Sequence, residues 1–231
     1  MHTILVLNPK GGAGKSTLSI NLAGFFACWG VRVTIADFDV QATSLDWLNA
    51  RPSSCPAIKG IDNHASVLPL HHTSDYLILD VPSGHYGEDI LPWLKKADKI
   101  IIPVVPSPHD IRAAKRFLDW LATDERVEGC TSSVAIVANR VRENTRSFKL
   151  LKSFLASVHV PCIGLLRDTQ NYVLAAQHGL SIFELPTYKV KQDLQQWQRL
   201  IRWLCVDPYI YSDVPVKPDQ SVYDTIYGTV L

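Results

Sequence analysis

The chain has 231 residues, 47% of them hydrophobic and 19% charged, with a net charge of +1. That balance predicts one large globular domain with a full core and excludes a disordered chain. The five cysteines, Cys28, Cys55, Cys130, Cys162 and Cys205, lie far apart without a C-x-x-C pair, and no apolar run approaches the ~20 residues of a membrane span. Neither a zinc site, a disulfide framework nor membrane insertion is indicated, and reduced thiols in the cytoplasm are expected.

The first apolar run, 3–7, reads as a buried strand and leads directly into Asn8-Pro9-Lys10-Gly11-Gly12-Ala13-Gly14-Lys15-Ser16-Thr17. This is a phosphate-binding loop by composition: glycines let backbone N–H groups curl around phosphates, Lys15 neutralises the outer phosphates and the Ser16 hydroxyl holds Mg²⁺. Pro9 stands where G-x-x-x-x-G-K-[ST] has its first glycine, so the loop is a variant, K-G-G-x-G-K-S, with a second lysine at Lys10. A helix over 17–29 follows, with Leu18, Leu22, Phe25, Phe26 and Trp29 on its apolar face, and Gly30 ends it. Its N-terminus would face the phosphates.

Further strands are predicted at 31–36, 76–79, 99–105, 134–138 and 162–166, and helices at 93–97, 110–122, 145–158, 169–178 and 190–205. Proline-bearing stretches at 51–56 and 103–108 read as loops. Apolar strands alternating with helices mean an α/β fold, a mostly parallel, twisted sheet covered by helices on both faces, and the phosphate-binding loop after its first strand makes it a P-loop NTPase by expectation.

Two strand ends carry acids. Asp37 and Asp39 follow the second strand, and alternation on an extended backbone places both carboxylates toward one side. Asp80 follows Tyr76-Leu77-Ile78-Leu79, the pattern of a strand ending beneath a magnesium ion. An aspartate closing a strand is also a common turn former or helix cap, and it is the coincidence with the glycine loop that favours a site.

Charge is uneven. Lys+Arg number 12 against 14 Asp+Glu through Asn139, then 10 against 4 from Arg140 to Arg202, then 1 against 4 to the last residue. Arg140, Arg142, Arg146, Lys149 and Lys152 fall in one segment and Lys189, Lys191, Arg199 and Arg202 in another. They read equally as solvated helix faces or as a phosphate-binding, DNA-contacting surface. The stretch 206–231 is acidic and bears Tyr209, Tyr211, Tyr223 and Tyr227 among prolines. It is read as a tail beyond a domain spanning 1–205, either loosely held or packed as an arm.

The glycine loop, Asp37-Phe38-Asp39-Val40-Gln41 with Trp47 beyond it, Asp80-Val81-Pro82-Ser83-Gly84, Pro103-Val104-Val105-Pro106-Ser107-Pro108 and Asn139-Arg140 together resemble the ParA/MinD family of dimeric ATPases. The resemblance runs over about 1–205 and is strongest to small ParA-type partition ATPases without an amino-terminal operator-binding domain; Val40 stands where those proteins usually have proline. It implies ATP and Mg²⁺ as ligands. ATP would lie against Lys10, Gly11, Gly12, Ala13, Gly14, Lys15, Ser16 and Thr17, with Asn139 on the adenine. Ser16, Asp37 and Asp80 would lie in the magnesium shell, and Asp39 would position the attacking water. Lys10 would reach the phosphates of the other subunit, so that Lys10, Lys15 and Asp39 form the catalytic set. The resemblance further implies a homodimer in the ATP state that binds DNA without sequence preference, sits on the nucleoid, and releases it when a ParB-like partner triggers hydrolysis. The alternative is a MinD-like membrane-associated positioning ATPase. A third reading, an iron–sulfur enzyme sharing the loop, lacks a second cysteine to join Cys130.

Overall fold

The computed structural model describes residues 1–62, 74–85, 87–127 and 134–205. Cys130 and the tyrosine-bearing tail lie outside the described residues. In chain order the elements are β1 (His2–Val6), α1 (Lys15–Cys28), β2 (Val33–Asp37), α2 (Thr43–Asn49), β3 (Lys59–Asp62), β4 (Tyr76–Asp80), α3 (Leu91–Leu94), β5 (Lys99–Val104), α4 (Pro108–Thr123), β6 (Val134–Val141), α5 (Arg146–Ser157), β7 (Cys162–Arg167), α6 (Asn171–Gln177) and α7 (Thr187–Leu204).

Among the described residues the strands form one seven-stranded parallel sheet in the order β3-β2-β4-β1-β5-β6-β7. Its central strands are buried on both faces and therefore read as unbroken apolar runs such as Tyr76-Leu77-Ile78-Leu79. Helices α1, α2, α6 and α7 bury Phe25, Phe26, Trp47, Ala175, Trp197 and Leu200 on one face. Helices α3, α4 and α5 bury Leu94, Phe117, Leu151 and Phe154 on the other. The doubly covered parallel sheet expected from the sequence is thus the observed fold.

Six strands were legible in the sequence and β3 was not. Lys59-Gly60-Ile61-Asp62 is an edge strand that is mostly exposed, so it lacks the apolar signal of its neighbours. Helix α2 was missed as well, because only Ser44 and Trp47 of its seven residues are buried.

Helix α1 lies so deep that most of its circumference is covered, and Phe26 stacks on Tyr76 with ring centroids 4.0 Å apart. Gly24 lets it approach the segment after α6: a Cβ there would stand 2.3 Å from both the Cβ and Oγ of Ser181. Ser181 cannot yield, because its N–H and hydroxyl both donate to Glu184 Oε2, at 2.7 and 2.8 Å. Gly24→Ala is therefore expected to destabilise the protein by about 2 kcal/mol despite the better helix propensity of alanine, read as a lower denaturant midpoint.

Candidate functional site

Strand β1 is central, and the loop leaving its carboxyl end lies between the ends of β4 and β5. This is where ligands of parallel sheets collect. Gly12 and Gly14 take φ of 83° and 92°, a backbone region that L side chains rarely adopt. Gly14 is the N-cap of α1, with no side-chain cap. The first helical bond from Leu18 N returns to Gly14 O, so the N–H groups of Lys15, Ser16 and Thr17 have no partner within the helix and can meet an anion.

The loop is braced on both flanks. Gly84 N donates to Pro9 O at 2.9 Å. On the other side Asn8 is nearly fully buried, with Nδ2 donating to Pro103 O at 2.5 Å and, at 3.4 Å, to Asp110 Oδ1; its Oδ1 accepts from Lys10 N at 2.8 Å. Asp110 is itself fully buried at the start of α4 and accepts from Val105 N at 2.7 Å. Burial pushes its carboxyl above the usual range, opposed by Val105 N–H and by the positive charge of Lys10. Neither Asn8 nor Asp110 was singled out from sequence, since an acid in the first turn of a helix after Pro108 looks like an ordinary cap.

The acids predicted at the strand ends do converge. In the register of β2 against β4, Asp37 and Asp80 are direct partners. Asp37 is held from below, its Oδ1 accepting from Asp39 N and its Oδ2 from Ser44 N, both at 2.9 Å. Ser44 Oγ then donates to Asp80 Oδ2 at 2.5 Å. The other oxygen, Asp80 Oδ1, is buried without a hydrogen-bond partner among the described residues. Burial above all, and then the neighbouring Asp37 charge, push the Asp80 carboxyl up to about 6, against the pull of the Ser44 and Ser16 hydroxyls and of Lys15. Lys15 is 7% exposed; burial lowers its ammonium pKa, while the charges of Asp80, Asp39 and Asp110 work the other way.

An orphaned, desolvated carboxylate oxygen beside a hydroxyl is a place for a cation. Among the described residues no group of three or more His, Cys, Asp and Glu could hold a metal alone. That combination suits Mg²⁺, which takes one or two protein oxygens and completes its shell with phosphates and water. Ser16, Asp80 and, one bond behind, Asp37 are the residues that fit it.

Asp39 sits half-buried on the turn after β2, with Oδ1 accepting from Gln41 N at 3.0 Å. Val40 beside it is 84% exposed. Asn139 in β6 touches the loop from the far side, its Nδ2 donating to Ala13 O at 2.8 Å. Lys10, Lys15, Ser16, Asp37, Asp39, Asp80 and Asn139 are thus gathered around one loop.

The nine basic candidates are elsewhere. All are exposed, but α5, with Arg146, Lys149 and Lys152, covers one face of the sheet and α7, with Lys189, Lys191, Arg199 and Arg202, covers the other. They flank the edge strand β7 rather than share one helix surface. Arg140 and Arg142 lie at the end of β6 and just beyond it, and Arg142 is paired with Asp168. A cavity of about 350 Å³ between these layers is lined by Phe148, Leu165, Arg167 and Gln196, among others.

Comparison with known proteins agrees with this fold. The model of the CobQ/CobB/MinD/ParA nucleotide binding domain matches residues 4–182. Over 196 residues the chain is 25% identical to maintenance of carboxysome distribution protein A of Halothiobacillus neapolitanus, covering 79% of this chain and 87% of that protein. Over 217 residues it is 23% identical to septum site-determining protein MinD of Bacillus subtilis, covering 77% and 80%. The ATP complex of a Cyanothece McdA variant shares the fold with a TM-score of 0.63 at 15% identity, covering 87% of this chain and 96% of that one. The chain belongs to the CobQ/CobB/MinD/ParA family of nucleotide-binding domains.

Proposed function

We propose that this protein is an ATPase of ParA type: an ATP-dependent dimerising switch that binds DNA without sequence preference in its ATP state and positions a cargo, with hydrolysis stimulated by a ParB-like partner. The observation that carries this reading is the unpartnered Asp80 Oδ1 beside Asp37, Ser16 and Lys15 at the mouth of the glycine loop. A buried negative charge there needs a cation, and a magnesium-bound nucleotide brings one.

In the reaction the N–H groups of the loop bind the phosphates and Lys15 neutralises their charge. Mg²⁺, when bound with the nucleotide, supplies further positive charge to the phosphate oxygens. Asp37 anchors the turn that carries Asp39 and so orients it toward the attacking water. Lys10 has its backbone N–H tied to Asn8, and the family resemblance gives its ammonium to the phosphates held by the second subunit of a dimer, where it would act as an arginine finger does.

Of the relatives named above, one maintains carboxysome distribution and one determines the septum site, and both support a role in positioning. The exposed basic residues flanking β7 favour DNA as the track. The stretch 206–231 is acidic and proline-bearing, unlike a basic amphipathic segment that enters a bilayer interface.

The test is binding of the purified protein to unrelated DNA sequences with ATP, with ADP and without nucleotide. Binding is expected only with ATP, and is expected to weaken about a thousandfold between 50 and 200 mM salt if about six phosphates are contacted. Vesicle flotation with ATP and no DNA binding would reverse the assignment in favour of the membrane reading.

A further inference from the structure

Asn139 is committed at both ends of its amide. Nδ2 donates to Ala13 O at 2.8 Å, and Oδ1 accepts from Arg140 N at 3.0 Å. The residue is 5% exposed, and it presses so closely on the loop that a Cβ built on Gly14 would stand 2.3 Å from Nδ2. Arg140, a non-glycine residue, is held at φ 51°, in the left-handed region that L side chains rarely adopt, with its N–H bonded to that Oδ1. The carbonyl of Ala13 is one of the groups that must point away from a bound phosphate while the neighbouring N–H groups point toward it. A carbonyl free to swing inward would set a negative dipole against the anion.

We infer that Asn139 is a positioning residue for phosphate binding, clasping the Ala13 carbonyl so that the loop presents only donors to the ligand. This rests on the reading that the loop binds nucleotide phosphates. It gives Asn139 a task that does not involve the base, whereas the family resemblance implies only an adenine contact. A consequence is that the carboxyl end of β6, and with it Arg140, is tied to the loop before any base arrives.

The experiment is calorimetric titration of the full-length protein, Asn139→Ala and Asn139→Asp with two ligands, Mg²⁺-ATP and Mg²⁺-tripolyphosphate, the second having phosphates and no base. Both variants are expected to lose affinity for both ligands by the same factor, about tenfold, the size expected for one buried hydrogen bond. The aspartate variant is nearly isosteric and keeps the acceptor for Arg140 N, yet sets an oxygen against Ala13 O, so it should bind no better than the alanine variant. A purely structural role would lower the bound stoichiometry through misfolded protein and leave the affinity of the folded fraction unchanged. A loss confined to ATP, or no loss for either ligand, would overturn the inference. If the unaltered protein bound neither ligand, the nucleotide-binding reading would fall first and the inference with it.

Discussion

Lys10→Ala is expected to leave a folded protein that turns over ATP about a thousandfold more slowly, the scale of losing a cation supplied in trans to a phosphoryl transfer. The side chain is only half-buried, and the bonds that shape the loop at this point come from its backbone N–H and from Asn8, so truncation leaves those bonds in place and removes only the charge that acts on Asp110. Stability should therefore stay within about 0.5 kcal/mol of the unaltered protein. ATP binding by the monomer should also be retained, because Lys15 and the loop N–H groups are intact. The loss should instead appear in ATP-driven dimerisation, measured by light scattering, and in steady-state hydrolysis. Unchanged turnover would mean that Lys10 serves only as a partner for Asp110 and that the cross-subunit mechanism is wrong.

Asp80→Asn should do something less usual, stabilising the nucleotide-free protein while disabling it. A carboxyl raised from 3.8 to about 6 by folding is penalised only when ionised. The penalty is absent below pH 4, grows between pH 4 and 6, and is complete above that, where it amounts to about 3 kcal/mol. Since the folded pKa is above the unfolded one, stability is lost as pH rises through this window. The amide variant should accordingly unfold at a higher denaturant concentration than the unaltered protein at pH 7.5 and at the same concentration near pH 3.5. Its affinity for nucleotide should depend less on Mg²⁺ than that of the unaltered protein. Equal stability at both pH values would show that the orphaned oxygen is compensated in some other way.

Much of this was written locally in the chain. The loop, the strands beneath it and the acids at their ends are carried by short runs in which each residue type has a direct reason: glycine for φ above zero, unbroken apolar residues for a doubly buried strand, an acid where that strand meets solvent. What escaped was assembled from afar. Asn8 and Asp110 are 102 positions apart and meet only because β5 lies next to β1 in the sheet, and Ser44 bridges two acids that neighbour one another only after β2 and β4 pair. The same limit applies to the basic helices: their charge was visible, but their placement on opposite faces of the sheet follows from which side of β7 each one covers. Asn139 also reaches the loop from afar, through its bond to Ala13 O, a pairing that spans 126 positions and leaves no periodic trace.

The pairing of Asp37 with Asp80 sets a length standard for the protein. Side chains alternate along a strand, so inserting or deleting one residue within β2 or β4 would turn one of the two acids to the opposite side of the sheet and pull the pair apart. Ser44 would then lose one of the two carboxylates it joins. Variation in chain length is consequently affordable only where it leaves this alignment untouched, at the opposite, amino-terminal ends of the strands and in the turns that lead into them.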